Sequence, residues 1–174
     1  SPILLTRYHK IEDNIIGTDQ TICSGSTPAQ LIESLSVTGG AGAGTYSFQW
    51  QDSSRAASWT NRSATRTPFA PPALTDSTWY RRIVNSNVCT STSNKITVNV
   101  HDPIVDNTIE ADTTVCSGAN PDELRGRIPT GGDGSFTYQW YSSTDNFGSV
   151  NNPVTVSGTS SDYDPPALTV PTWY

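Results

Sequence analysis

The side chains best suited to acid–base chemistry are few and scattered in this sequence. The 174 residues hold only two histidines, His9 and His101, and a Ser-His-Asp triad needs a histidine in a cleft beside a nucleophile. Asp162 and Asp164 could form a pair of catalytic carboxylates, but in a stretch rich in Ser, Asp and Gly such residues usually form turns. We therefore predict no catalytic residues and no enzymatic activity.

Two glycine-rich runs, residues 39–44 and 131–134, are similar to phosphate-binding loops in composition. Such a loop holds phosphate when a helix N-terminus follows it, because the free N–H groups of the first helical turn bind the anion. Here an aromatic-rich segment with strand character follows each run. Both runs are therefore predicted to be loops that connect strands.

Metal-binding patterns are also weak. Structural zinc sites need closely spaced Cys and His residues, and the three cysteines and two histidines are far apart in the sequence. Asp102, Asp106 and Asp112 offer the oxygen ligands that Ca²⁺ prefers, but they do not form an Asp-x-Asp-x-Asp loop. We predict no metal site and no cofactor. The alternative is a calcium ion bound by these aspartates, which lie where the two halves of the chain join.

A long-range repeat organises the whole chain. The stretch 71–80 returns as residues 165–174 and differs only at Asp76 and Ser77, which become Val170 and Pro171. Other landmarks recur in the same order, 90 to 94 positions later: Asp13-Asn14, Cys23-Ser24-Gly25 and Gln49-Trp50. Landmarks in the same order at a nearly fixed spacing indicate a duplicated structural unit. The predicted units are residues 14–102, a complete repeat, and 103–174, a second repeat truncated before its last strands.

The first 13 residues align with the end of the first repeat. Subtracting the 93-residue period places Ile3 and Leu5 on Ile96 and Val98, which alternate with polar residues as in a half-buried strand. Residues 1–13 are thus predicted to be the last strand of a preceding repeat followed by a linker. An N-terminal arm remains the alternative.

The cysteines follow the repeat. Cys116 is the counterpart of Cys23, whereas the counterpart of Cys89 would fall beyond Tyr174. We predict a Cys23–Cys89 disulfide, with Cys116 left unpaired by truncation. Closing a loop of about 67 residues would stabilise the unit by roughly 4 kcal/mol, and a disulfide would imply an oxidising compartment.

Each repeat reads as short strands separated by turns. Aromatic residues occupy alternate positions at Tyr46, Phe48 and Trp50, which places three rings on one face of a strand. No window shows a convincing helical period, and strands spaced in this way predict an all-β, tandem immunoglobulin-like sandwich. Its structural core is predicted to contain Trp50 and Tyr80 and, in the second copy, Trp140 and Tyr174. Tyr80 resembles the tyrosine corner of such sandwiches. Which of the following arginines, Arg81 or Arg82, faces the core is left open.

Composition narrows the classes of partner. The net charge of −6 and the isoelectric point near 4.6 argue against nucleic acid and anionic membrane surfaces. No apolar run approaches the length of about 18 residues that a membrane span needs.

Taken together, the motifs resemble one family. The ordered series of Cys-Ser-Gly, Gly-Gly-x-Gly, aromatic-x-Gln-Trp, Pro-Pro-Ala-Leu-Thr, Thr-Trp-Tyr-Arg-Arg and a final Ser-Asn-Lys-Ile-Thr-Val strand is similar to the PKD-like or Ig-like repeats of giant Bacteroidetes surface proteins. These include gliding-motility adhesins of the SprB kind. The resemblance implies a β-sandwich array, type IX secretion and display on the extracellular cell surface. The expected partners are neighbouring repeats, the secretion machinery and extracellular surfaces or polysaccharide.

The resemblance also implies candidate modification sites and two alternative roles. Ser77 and Thr113 stand in Asp-Ser/Thr-Thr sequences that resemble the O-glycosylation sequon of such bacteria. The first role is a structural spacer or stalk in attachment or gliding. The second is direct glycan binding by exposed aromatics such as Trp59 and Tyr141. Trp59 has no aromatic counterpart in the second copy, where Asn152 and Pro153 lie nearest, and this favours the spacer.

Overall fold

The structure is a computed structural model that describes residues 2–54, 58–65, 67–110, 112–148 and 154–174. These residues contain strands and turns and no helix, so the predicted all-β class is confirmed. The chain divides into two compact units, residues 1–102 and 103–174.

The first unit contains eight strands. Their bounds are β1 His9–Glu12, β2 Gln20–Cys23, β3 Thr38–Gly40, β4 Tyr46–Ser54, β5 Thr60–Asn61, β6 Thr78–Ser86, β7 Cys89–Thr92 and β8 Ile96–His101. Six of them form one sheet. Five follow the order β2-β8-β6-β4-β5, and β7 pairs with the Ser86 end of β6. β1 and β3 form a separate antiparallel pair.

The sheet is built around the long pair β4 and β6. The two strands are antiparallel over nine residues each, from Tyr46 opposite Ser86 to Ser54 opposite Thr78. Along β6 every second residue is buried, as expected for a strand with one face on a core. β8 adds to the free side of β6, and β2 then pairs with β8 in parallel.

The core of this unit lies between the large sheet and a layer of short extended segments. Ile16 bridges to Glu33, and Leu31 bridges to Phe69. These segments cover the inward face of the sheet, and the cluster they enclose is apolar. Its buried members are Ile16, Leu31, Trp50, Phe69, Leu74, Tyr80, Ile96 and Val98.

The N-terminal segment corrects one prediction. Residues 9–12, predicted to belong to a linker, form β1 on the first unit, and Ile11 is buried there. Gly39 makes this pairing possible: it has a φ of +81°, and a Cβ at this position would lie 1.9 Å from the carbonyl oxygen of Lys10. Residues 2–7, predicted to include a strand, are in no strand and are exposed.

The second unit has less regular structure. Its described strands are β9 Tyr141–Ser142 and β10 Val154–Thr155, which pair with each other. The strand predicted at residues 136–140 is wrong, because those residues are outside the strands of the structure. In the first unit the counterpart residues pair with β6 from Arg82 to Ser86, whereas residues 136–140 pair in a ladder with none of the described residues of the second unit.

The predicted Cys23–Cys89 disulfide is also wrong. All three cysteines are free. Cys23 ends β2 opposite His101, near the Thr78 end of β6, whereas Cys89 pairs with Ser86 at the other end. Nine residues of β6 separate the two ends, roughly 26 Å at 3.3 Å per residue. A disulfide needs Cα atoms within about 7 Å, so this fold forbids the bridge.

Candidate functional site

The residues that recur between the repeats form the same aromatic cluster in each unit. Trp50 stacks on Phe69 with ring centres 5.3 Å apart, and Phe69 contacts Tyr80 at 5.8 Å. In the second unit Trp140 stacks on Tyr163 at 5.5 Å, and Tyr163 contacts Tyr174 at 5.5 Å. The arrangement of the aromatic rings is therefore duplicated along with the sequence. The aromatic residues at equivalent positions of the two units contribute to packing.

The glutamine before each tryptophan also has a structural role. The Gln49 side-chain amide donates to the carbonyl oxygens of Trp50, at 2.9 Å, and Arg62, at 2.5 Å. Gln139 donates in the same way to Trp140, at 3.1 Å, and Val156, at 2.8 Å. Each glutamine thus ties its strand to the segment beside it, which accounts for the repeated Gln-Trp pair without any catalytic role.

Arg82, not Arg81, faces the core. Its side chain is fully buried and its Nη1 lies 2.8 Å from a carboxylate oxygen of Glu33. Nε donates to the side-chain oxygen of Asn14 at 3.0 Å, and the guanidinium lies 5.0 Å from the ring centre of Phe48. A buried charge is tolerated when it is paired and hydrogen-bonded in this way. The sequence left this choice open because Trp79 and Arg81 share one face of the strand and Tyr80 and Arg82 share the other, so each face carries one aromatic ring and one arginine.

Arg81 points to the other face and changes the reading of Trp59. The Arg81 guanidinium lies 4.1 Å from the centre of the Trp59 ring. Trp59 is therefore half-buried under a cation rather than a free aromatic platform. Its nearest counterparts in the second copy, Asn152 and Pro153, lie outside the described residues.

The environment of Tyr80 strongly shifts its pKa. Burial raises the pKa of Tyr80 to about 12, the Asp52 carboxylate adds to the effect and Arg62 opposes it. The Tyr80 hydroxyl is buried, with no hydrogen-bond partner among the described residues. The neutral phenol is thus the form that this core accepts, which fits a packing role and not a proton-transfer role.

We expect the first unit to lose stability between pH 10 and about 12 because Tyr80 must ionise on unfolding. The folded pKa lies above the unfolded value of 10.0, so the stabilisation is full below pH 10 and is lost as pH rises through the folded value. Between pH 10 and about 12, the free energy of unfolding of the first unit should fall by about 2–3 kcal/mol less in Tyr80→Phe than in the unsubstituted chain. Urea unfolding measured from pH 7 to pH 12 tests it. Tyr141→Phe, at an exposed tyrosine of the second unit, is the control and should leave the curve of the first unit unchanged.

The other residues singled out for chemistry do not form a site. His9 lies in β1 and His101 at the end of β8. Asp162 accepts a hydrogen bond from the Gly126 amide at 3.1 Å, while Asp164 is exposed. Among the described residues, no recorded contact joins either carboxylate to a nucleophile or to a catalytic base. The Asp162 carboxylate instead links its segment to the backbone at Gly126.

The junction aspartates are likewise dispersed. Asp106 has a φ of +62° and its carboxylate accepts from the Thr130 hydroxyl at 3.5 Å. Asp102 and Asp112 are exposed. Within the described part of the chain, no group of three or more His, Cys, Asp or Glu side chains is arranged to hold a metal ion.

An open groove lies on the second unit. It has a volume of about 560 Å³ and is lined by residues 112–115 and 170–174 and by Leu124 and Leu168, among others. The counterparts of these two edges in the first unit are β2 and the start of β6, and β8 lies between them. The groove is therefore the place that β8 fills in the first unit, so we call it the β8 groove.

A second opening lies on the other side of Tyr174. It has a volume of about 410 Å³ and is lined by Asn107, Tyr138 and Trp140 among others. These three are the counterparts of Asn14, Phe48 and Trp50, the residues that surround the Arg82 guanidinium in the first unit. The two openings thus correspond to the places that β8 and the Arg82 side chain of β6 occupy in the first unit.

Comparison with known families decides what the duplicated unit is. One family profile, described as a domain of unknown function (DUF8696), matches twice, over residues 12–102 and 105–174. The chain belongs to this family. The two DUF8696 matches begin at equivalent points, on β1 and on its counterpart at Val105, which bridges to Thr130. No curated protein and no solved structure matches the chain.

The surface of the two DUF8696 units includes both candidate glycosylation residues. Ser77 and Thr113 are exposed, and the Ser77 hydroxyl accepts a hydrogen bond from the Val100 amide at 2.9 Å. Among the described residues there is no helix long and apolar enough to cross a membrane.

Proposed function

We propose that this chain is a non-catalytic repeat segment of a large secreted cell-surface adhesin, in which tandem Ig-like, PKD-like sandwiches act as a structural spacer. The duplication and the motif order support this, since they are typical of repeat arrays. The residues common to both copies are used for packing and for hydrogen bonds within each unit. A spacer needs this kind of conservation between copies, because each unit must fold but need not bind a ligand.

The observation that carries the proposal is the parallel pairing of β2 with β8. Gln20 lies opposite Val98 and Cys23 opposite His101, so the chain enters β2 at one end of the pair and leaves β8 at the other. Force carried along the chain between Thr18 and Asp102 therefore loads all hydrogen bonds of this pair at once, in shear. An antiparallel pair pulled from its adjacent ends would instead open one bond at a time. The arrangement suits a module that must hold under tension at a cell surface.

The alternative role, direct binding of glycan or another surface, would need exposed aromatics in each copy. Trp59 is covered by Arg81, and Tyr141 is 43% exposed in the second unit, where Gln51 is its counterpart in the first. Aromatic positions that differ between the copies do not build a repeated sugar platform, which supports the spacer over the binding module.

We expect the first unit to resist force along the chain much more strongly than force applied across the strand ends. Single-molecule pulling on the whole chain tests this with two handle pairs in a background in which the three native cysteines are serine. Handles at Thr18→Cys and Asp102→Cys load the β2–β8 pair in shear. Handles at Thr18→Cys and Lys95→Cys pull the same pair open from one end.

The expected result is a severalfold higher unfolding force for the shear pair than for the peeling pair, because the shared handle at Thr18 leaves only the direction of force changed. Equal forces in the two geometries would contradict a load-bearing spacer. A glycan array probed with the unmodified chain adds the competing outcome: saturable binding lost in Tyr141→Ala would favour the binding module.

A further inference from the structure

We propose that the outer face of the large sheet in the first unit binds an acidic polysaccharide, with carboxylates of its uronic acid residues on Arg81 and Lys95. This binding goes beyond the spacer role and is a property of the first unit alone. It rests on the placement of the two cations, on the charge around them and on the backbone pairing of the strands that carry them.

Two cations lie next to each other on this face. The Arg81 guanidinium lies 4.1 Å from the centre of the Trp59 ring, and the Lys95 ammonium lies 4.6 Å from the centre of the Trp79 ring. Lys95 directly precedes β8, and continuing the antiparallel register of β6 and β8 by one residue places it beside Arg81. Each cation is thus held over an indole ring, and the two cations are neighbours.

The Arg81 side chain is oriented by its neighbours. Its Nε donates to the side-chain oxygen of Gln51 at 2.7 Å, and the Gln51 amide donates to the side-chain oxygen of Asn61 at 2.7 Å. Within the described part of the chain, no hydrogen bond uses the two terminal nitrogens of Arg81. A guanidinium binds a carboxylate through two parallel N–H donors, and a donor that is already oriented loses less entropy on binding.

The charge of the first unit differs from that of the whole chain. Residues 1–102 contain eight Lys and Arg against seven Asp and Glu, whereas residues 103–174 contain two against nine. The net negative charge therefore comes from the second unit. In the described residues neither Arg81 nor Lys95 takes part in an ion pair, and the Asp19 carboxylate accepts from the Thr97 amide at 2.7 Å. Two like charges held together without a counter-charge attract an anion.

The backbone pairing favours a saccharide over an acidic peptide. A peptide binds a sheet most readily by adding a strand to an open edge. Arg81 is on β6, which lies between β4 and β8, so no open edge is beside it. A saccharide needs only side-chain contacts, through its carboxylates and hydroxyls. Asn61, opposite Gln51, and Thr97, opposite Trp79, offer an amide and a hydroxyl on the same face.

Isothermal titration calorimetry of the whole chain with an oligogalacturonate tests the proposal, and the methyl ester of the same saccharide is the uncharged ligand. We expect saturable binding of the acid and no binding of the ester, because esterification removes the carboxylates. Arg81→Gln should weaken binding about tenfold or more, since it removes charge-assisted hydrogen bonds. The matched control is Lys10→Gln, at an exposed cation of β1. It removes the same charge and should change the affinity by less than about twofold.

Two further variants separate orientation from charge and from folding. Trp59→Ala keeps both cations but removes the ring beneath Arg81, so the affinity should fall severalfold at unchanged net charge. Lys95→Gln, at an exposed position, removes the other cation with little effect on folding and should also weaken binding severalfold. Urea unfolding followed by circular dichroism shows whether each variant is folded. Tyr141→Ala should bind as tightly as the unsubstituted chain, which distinguishes this face from a glycan site at Tyr141.

Three results would overturn the proposal. The first is that the unsubstituted chain does not bind the oligogalacturonate. The second is that Arg81→Gln and Lys10→Gln weaken binding equally, which would show that only overall charge matters. The third is that a poly-glutamate peptide of the same charge binds as tightly as the saccharide, which would show that the face does not select a saccharide.

Discussion

Trp50→Ala is expected to destabilise the first unit by about 3–5 kcal/mol, a large part of the 5–15 kcal/mol that stabilises a typical domain. Trp50 is fully buried, stacks on Phe69, and has the Arg82 guanidinium 5.9 Å from its ring centre. Its removal leaves a large cavity and also uncovers a buried charge. Urea unfolding followed by circular dichroism, on the whole chain, measures the loss.

Trp140→Ala is the matched control for this prediction. Trp140 is the counterpart of Trp50 in the second unit, is 8% exposed and keeps the stack on its tyrosine. The substitution should leave the transition of the first unit unchanged, because the two compact units have separate cores. A loss below about 1 kcal/mol for Trp50→Ala would show that the aromatic cluster does not hold the unit together.

Sequence reasoning predicted the all-β class, and it placed Tyr80 and Arg82 on the face of β6 opposite to Arg81 without deciding which arginine faces the core. Alternation is a local signal, and in β6 each second side chain from Thr78 to Ser86 does face the interior. Trp50, which was predicted to lie in the core because it resembles the core tryptophan of Ig-like sandwiches, is a member of the buried cluster. Local alternation and repetition thus specify which residues are inside.

Which distant residues and strands pair with one another was harder to predict. The Cys23–Cys89 disulfide was inferred from which cysteines recur, yet the pairing of β2 with β8 and of β7 with β6 places the two at opposite ends of the sheet. The strand predicted at residues 136–140 has the right alternation but lacks a partner. Long-range pairing depends on the whole topology, which a single sequence does not display.

The candidate groove could be predicted only in part. The truncation inferred from the repeat indicated that strands would be missing from the second unit. The sequence did not indicate that two openings would remain, one between residues 112–115 and 170–174 and one around Asn107, Tyr138 and Trp140. Nor did the sequence indicate that, in the first unit, the buried Arg82 side chain occupies the place that corresponds to the second opening.

A peptide with the sequence of residues 94–102 is expected to bind the β8 groove and to stabilise its edges strongly. Its Ile96 and Val98 side chains fill the corresponding site in the first unit. At about 100 times its dissociation constant, a ligand stabilises its site by about 2.7 kcal/mol, equivalent to about a hundredfold slower amide exchange. The matched control is the same peptide with Ile96→Asp and Val98→Asp, which should have no effect.

Hydrogen exchange of the whole chain tests most directly whether the second unit has the strand arrangement of the first unit with the β8 position open. We predict slow exchange within Gln20–Cys23, fast exchange within residues 113–116 and 172–174, and slowing of the latter two by the peptide alone. If residues 113–116 exchange as slowly as Gln20–Cys23 before any peptide is added, the position is already filled and this account of the second unit is wrong.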